Sequence, residues 1–151
     1  MTPYFAYGSN MSTPRLEQRV GPVRVLGRAW LDHYCHRFSK HGNDGTAKGN
    51  VEPEPGQRVW GVLFELDAAQ LEGLRGFESG YRMVHFELTL EHKAVRAASF
   101  EALSVVRELA PTHAYVRHYI AGMREHAIPS SYGAGLLADW PHLLRELDAH
   151  I

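Results

Sequence analysis

Two stretches of this sequence combine residue types that could do chemistry. The first follows an apolar run, Tyr4-Phe5-Ala6-Tyr7, that stops at Gly8-Ser9-Asn10-Met11. A strand ending in Gly-Ser-Asn becomes a tight polar loop with spare backbone N–H groups. Glycine accommodates the positive φ such a loop often needs, and serine and asparagine hydrogen-bond nearby backbone. Ser12-Thr13-Pro14 then offers a hydroxyl cap and a first-turn proline for a helix. N–H donors gathered at a helix start suit a carboxylate or a developing oxyanion. An ordinary turn carries the same local signature. The second stretch is Gly76-Phe77-Glu78-Ser79-Gly80-Tyr81. A carboxylate beside aromatics loses hydration, which raises its pKa and makes it a usable base near neutral pH. A solvated loop glutamate, or a cap for the strand that follows, is the other reading of Glu78.

Other chemistries have less support. His33, Cys35, His36 and His41 lie close together, but the odd spacing of His33 and His36 points them to opposite faces of a strand. No C-x-x-C or H-E-x-x-H pattern accompanies them, or His113, His118 and His126, so no metal is expected. Ser9 lacks the G-x-S-x-G elbow. Gly8 belongs to neither a G-x-G-x-x-G fingerprint nor a P-loop. Cys35 falls mid-strand, with no helix N-terminus to lower its pKa.

The elements that must position these residues follow from periodicity. Tyr4–Tyr7 is a strand, and a short helix over Pro14–Arg19 turns Leu16 and Val20 inward. Pro22–Trp30 and Leu31–Ser39 read as two successive strands. Lys40–Lys48, polar and glycine-bearing, reads as an exposed loop. Gly49–Glu52 is a short strand, Pro53-Glu54-Pro55-Gly56 a turn, and Arg58–Leu66 the clearest strand of the chain. Asp67 caps a helix over Ala68–Arg75, with Leu71 and Leu74 on one face. Tyr81–Glu91 and Arg96–Val106 are strands. From Thr112 the period becomes helical, with Tyr115, Tyr119 and Met123 at i, i+4, i+8. Ile128-Pro129-Ser130-Ser131 starts a final helix whose stripe is Tyr132, Leu136, Leu137, Trp140, Leu143 and Leu144. This order predicts an α+β fold: a small, mixed, mainly antiparallel β-barrel with helices packed outside.

Composition narrows the function classes. The chain has 151 residues and a formal net charge of −1, so no field draws it to nucleic acid or an anionic membrane. One domain spanning 1–151 is expected, with no linker or repeat. The single cysteine fits a reducing compartment, and the chain shows neither a signal-peptide pattern nor a transmembrane-length run. A cytoplasmic protein is the expectation. Trp30, Trp60 and Trp140 can serve a homodimer patch or a buried core.

The separate signals stand in the order of one known family. Tyr4-Phe5-Ala6-Tyr7-Gly8-Ser9-Asn10-Met11 resembles the N-terminal signature of the γ-glutamylcyclotransferase family, AIG2-like proteins included. Val59-Trp60-Gly61-Val62-Leu63-Phe64 resembles its central V-W-G-V strand. Leu71–Tyr81 resembles the segment in which the family's acid/base glutamate precedes a tyrosine. Tyr115–Tyr132 resembles its C-terminal helical region. The resemblance implies cyclisation of a γ-glutamyl amide to 5-oxoproline, with release of an amine or amino acid, as in glutathione metabolism. It implies no cofactor and no metal. It makes Glu78 the catalytic residue, Tyr4, Phe5, Ala6, Tyr7, Gly8, Ser9 and Asn10 the substrate loop, and Tyr132 a tyrosine that closes the pocket. Whether the loop N–H groups hold the substrate's carboxylate or its oxyanion stays open. Two other functions fit the same scaffold: an enzyme that unmasks a γ-glutamyl-protected amine, with Lys40–Lys48 bordering the leaving-group pocket, and a non-catalytic binder of a small metabolite.

Overall fold

The computed structural model describes residues 1–148. Five strands close a barrel: β1 (Thr2–Ala6), β2 (Arg24–His41), β3 (Ala47–Leu66), β4 (Tyr81–Leu90) and β5 (Lys93–Ala102). Their order round the barrel is β1-β3-β2-β4-β5. Every pairing is antiparallel except β1 with β5, which run parallel with Tyr4 opposite Ala98. Five α-helices accompany the strands among the described residues: α1 (Thr13–Val20), α2 (Ala68–Arg75), α3 (His113–Glu125), α4 (Ser130–Leu136) and α5 (Pro141–Asp148).

Alternation along the strands divides the apolar residues into two cores. Phe5, Tyr7, Leu31, Val59, Leu63, Phe86 and Leu88 fill the barrel interior. Tyr4, Ala6, Val62, Phe64 and Leu66, one residue out of phase, face the helices and pack on Leu16, Val116, Tyr119 and Met123. Successive side chains of a strand point to opposite faces, so the aromatic run Tyr4-Phe5-Ala6-Tyr7 serves both cores at once. Leu16 is fully buried, and burial of such a side chain contributes roughly 2 kcal/mol.

The capping chemistry read from the sequence is in place. Asp67 accepts from Gln70 N–H at 2.7 Å while Gln70 Oε1 accepts from Asp67 N–H at 3.0 Å, a complete capping box. Gln70 Nε2 also donates to Pro22 O at 2.7 Å, which ties α2 to the exit of α1. Ser12 caps α1.

Four readings change. Pro22–Trp30 and Leu31–Ser39 are one strand, β2, bent by register shifts at Val25/Gly27, Asp32/Tyr34 and Arg37/Lys40. Such bulges let a long strand curl round a small barrel. Pro53–Gly56 is no turn. β3 runs through it, with Pro53 paired opposite Tyr34, and the register shift between Asp32 and Tyr34 leaves Pro55 outside the ladder, where its missing N–H costs no ladder bond. Gly56, at φ 83°, instead donates its N–H to His33 Nδ1 at 3.2 Å. The predicted final helix is two, α4 and α5, because Pro141 cannot continue the first. Lys40–Lys48 is a loop only in its middle: Gly42–Thr46 leaves the β2–β3 ladder, while Lys40, His41, Ala47 and Lys48 stay paired in it and Lys40 is buried. The consequence is positional. Continuous β2 and β3 carry Lys40 and Gly49 to the barrel end where β1 delivers its loop.

Candidate active site

The loop after β1 is a single 3-10 turn, Ser9–Met11, closed by Met11 N–H to Gly8 O at 3.0 Å. The N–H groups of Gly8, Ser9 and Asn10 form no backbone hydrogen bond among the described residues. Met11 is wholly buried and anchors the turn against α3, where a Cβ on Gly122 would meet Met11 Cβ at 2.5 Å. Gly8 has φ −122°, so the positive φ expected for it is not the reason for glycine. Close approach is: a Cβ there would sit 3.0 Å from Tyr119 Oη.

Asn10 joins the loop to Glu78. Its Nδ2 donates to Tyr4 Oη at 3.1 Å and to Glu78 Oε1 at 3.4 Å. Its Oδ1 accepts from Arg19 Nη1 at 3.3 Å, and Ser9 Oγ accepts from Arg15 Nε at 3.0 Å. The Ser9 hydroxyl therefore supports a guanidinium and has no base beside it. Glu78 follows α2 and is half-buried. Burial pushes its carboxyl up to about 7, against the opposing pull of Arg19, Lys40 and Arg15. A carboxylate poised there can take and return a proton near neutral pH.

Tyrosines form the remaining wall. Tyr81 Oη donates to Gly49 O at 2.6 Å, and Gly49 N–H donates to Tyr115 Oη at 3.0 Å, so one peptide segment is gripped from both sides. Tyr119 Oη lies 2.7 Å from His36 Nε2. Burial drives the His36 imidazole down to about 3, so it is neutral, and burial raises the phenols of Tyr4, Tyr7, Tyr81, Tyr115 and Tyr119. These groups can act as neutral donors and acceptors, leaving Glu78 to exchange protons.

The Gly8–Asn10 loop, Arg15, Arg19, Glu78, Gly49, Tyr4, Tyr7, Tyr81 and Tyr115 line a cavity of about 280 Å³, whereas Tyr119 and His36 are not part of its lining. Of the residues singled out in the sequence, Glu78, Tyr4, Tyr7, Gly8, Ser9 and Asn10 line it. Phe5 and Ala6 do not: their side chains are fully buried, one in the barrel and one under the helices. Tyr132 lies apart, on α4, lining a different cavity with Phe38 and Trp140. Asn43 and Asp44 of the β2–β3 turn line the first cavity, as do Lys40 and Lys48. Sequence reading passed over Arg15, Arg19 and Tyr115. The arginines carried a usable signal, because i,i+4 spacing puts both on one face of the helix opening after the loop. Tyr115 carried none, since its spacing is equally that of core.

The family model described as gamma-glutamyl cyclotransferase, AIG2-like, matches residues 4–126. The chain belongs to that family. The matched span includes the 3-10 turn, Glu78 and all of α3, and ends before α4 and Tyr132. A gamma-glutamylcyclotransferase of Homo sapiens is 28% identical over 149 residues, covering 92% of this chain and 79% of the relative. One of Bos taurus is 27% identical over 144 residues, covering 85% and 73%. A solved structure titled gamma-glutamyl cyclotransferase superimposes with TM-score 0.83 at 24% identity, over 91% of this chain and 86% of the other, and shares the fold. The relatives support an enzyme of the gamma-glutamylcyclotransferase family. No helix among the described residues is long and apolar enough to cross a membrane.

Proposed function

We propose that this protein cyclises γ-glutamyl amides, forming 5-oxoproline and releasing the amine. The observation that carries the reading is the Glu78 carboxyl, raised to about 7 and hydrogen-bonded through Asn10 to the turn with free N–H groups. A γ-glutamyl amide brings its own nucleophile, the α-amino group. The amino nitrogen gives a proton to Glu78 and attacks the γ-carbonyl carbon, closing a five-membered ring. Negative charge develops on the carbonyl oxygen, where oriented N–H donors stabilise it. The amide C–N bond then breaks, and Glu78 returns the proton to the departing nitrogen. One carboxylate serves as base and then as acid.

Because nucleophile and electrophile share one molecule, the protein mainly has to fold the substrate into attack geometry, a contribution of several kcal/mol, roughly up to ten. A small cavity lined by tyrosines fits that task, since rigid walls leave a short flexible chain few conformations. The test is direct. Purified protein incubated with γ-glutamyl dipeptides and γ-glutamyl alkylamides should release 5-oxoproline and amine in equal amounts. Binding of these compounds without turnover would replace the reading with a metabolite-binding role.

A further inference from the structure

Four cations line the cavity: Arg15, Arg19, Lys40 and Lys48. Three have acceptors. Arg15 donates to Ser9 and lies 3.1 Å from His118 Nε2, Arg19 donates to Asn10, and Lys48 pairs with Asp44 at 3.2 Å. Lys40 has none: its ammonium makes no hydrogen bond and no ion pair among the described residues, although the residue is only 7% exposed. It is nevertheless held in place. Nζ stands 4.9 Å from the Tyr81 ring centroid, and a Cβ on Gly80 would lie 2.8 Å from Lys40 Cε. Cation–π attraction fixes such a head without neutralising it. Burial lowers the Lys40 pKa and Glu78 raises it, yet Glu78 forms no ion pair with it. A buried cation without a counter-ion is unfavourable and is relieved when an anion arrives.

Donors reach the cavity from two different segments of the chain. The loop N–H groups, with Arg15 and Arg19 braced behind them, belong to the segment from β1 to α1. Lys40 comes from the other side, from the β2–β3 hairpin whose turn, Gly42–Asp44, also lines the cavity. We propose that Lys40 is the specificity-determining residue for the leaving group, its ammonium seating a carboxylate carried by the amine half. The substrates so favoured are γ-glutamyl amides of amino acids, over those of neutral amines. This proposal rests on the cyclotransferase reading.

The experiment compares γ-glutamylalanine with γ-glutamylethylamide, which differ in that carboxylate, as substrates of the full chain. Wild type should prefer γ-glutamylalanine in kcat/KM. Lys40→Met should reduce that preference by roughly tenfold to a hundredfold, the usual worth of a hydrogen bond to a charged group, mostly through KM. Lys40→Gln, which keeps length and polarity, should do the same if the methionine variant folds poorly, and Lys40→Arg should retain the preference. Equal losses on both substrates in Lys40→Met or Lys40→Gln would overturn the proposal. Turnover of both substrates by wild type without preference would overturn it and leave the cyclotransferase reading standing. No turnover of either would overturn both.

Discussion

Two of the hollows among the described residues differ in kind, and the smaller holds the candidate site. The larger, about 670 Å³, lies between β2 and α4, lined by Phe38, Leu136, Trp140 and Tyr132. Both arginines that line it are already paired: Arg37 with Glu54 at 3.5 Å and Arg58 with Asp32 at 3.3 Å. The smaller, about 280 Å³, holds a carboxyl raised to about 7, a turn with free N–H groups and a buried ammonium without a counter-ion. Volume follows from how helices happen to meet a sheet. Reactivity follows from polar groups left partly unsatisfied, because an unmet hydrogen bond or charge is what a substrate can complete.

The contrast can be broken most sharply at Glu78. Glu78→Gln should lower turnover of γ-glutamyl amides by roughly a hundredfold to ten-thousandfold, the span of a general acid–base group, with an unchanged circular dichroism spectrum. Full activity in that variant would remove Glu78 from the mechanism.

Glycine substitutions separate the hollows next. A Cβ on Gly49 would lie 2.0 Å from Tyr119 Oη and 2.9 Å from His36 Nε2. Gly49→Ala should therefore cost about 2 kcal/mol or more, as overpacking does, with a matching loss of turnover. Gly135, in α4 beside the larger hollow, meets nothing within 4 Å. Gly135→Ala should stabilise by about 0.5–1 kcal/mol, the entropy a helical glycine wastes. Urea melts of the two variants check both signs.

pH sharpens the comparison further. Glu78 stands at about 7 in the folded chain against 4.5 as its ordinary value. The native state thus binds more protons than the unfolded one in that window, and Glu78's contribution makes stability fall as pH rises from 4.5 to 7, by on the order of 2 kcal/mol. Glu78→Gln lacks that loss, so it should match wild type near pH 5 and exceed it near pH 8 in denaturant midpoint. The same ionisation should make wild-type kcat/KM fall below about pH 7 as the base is protonated. A flat stability difference between the two pH values would contradict the burial of this carboxyl.

The smallest effect belongs to the larger hollow. The Tyr132 hydroxyl is buried and, among the described residues, makes no well-formed hydrogen bond, with only the Trp60 backbone near it. Tyr132→Phe should change stability by less than about 0.5 kcal/mol and leave turnover within experimental scatter. A large loss of turnover would return Tyr132 to the site the resemblance implied for it.

Much of this was legible in the chain itself. The run Tyr4–Met11, the Asp67 cap and the Arg58–Leu66 strand carry short-range patterns of alternation and capping, and the structure keeps all three. Lys40 and Pro53–Gly56 misled for one reason. Polar and proline-bearing segments read as loops, whereas barrel closure holds them in long, bulged strands whose pairing partners lie far along the sequence. Tyr115 was hidden differently. Its local pattern is that of any amphipathic helix, and only the packing of α3 on the 3-10 turn shows which faces meet.

By itself the sequence determined the composition of the two cores, the helix caps and the pair of stretches, Gly8–Asn10 and Glu78, from which chemistry could come. Alternation and capping act within a few residues, so they are written locally. The tertiary structure alone decided that Asn10 bridges those stretches across 68 positions, that Gly49 is gripped between Tyr81 and Tyr115, and that Lys40 is left buried without a counter-ion. Desolvation and proximity are properties of how distant segments enclose a space, and no local pattern encodes them.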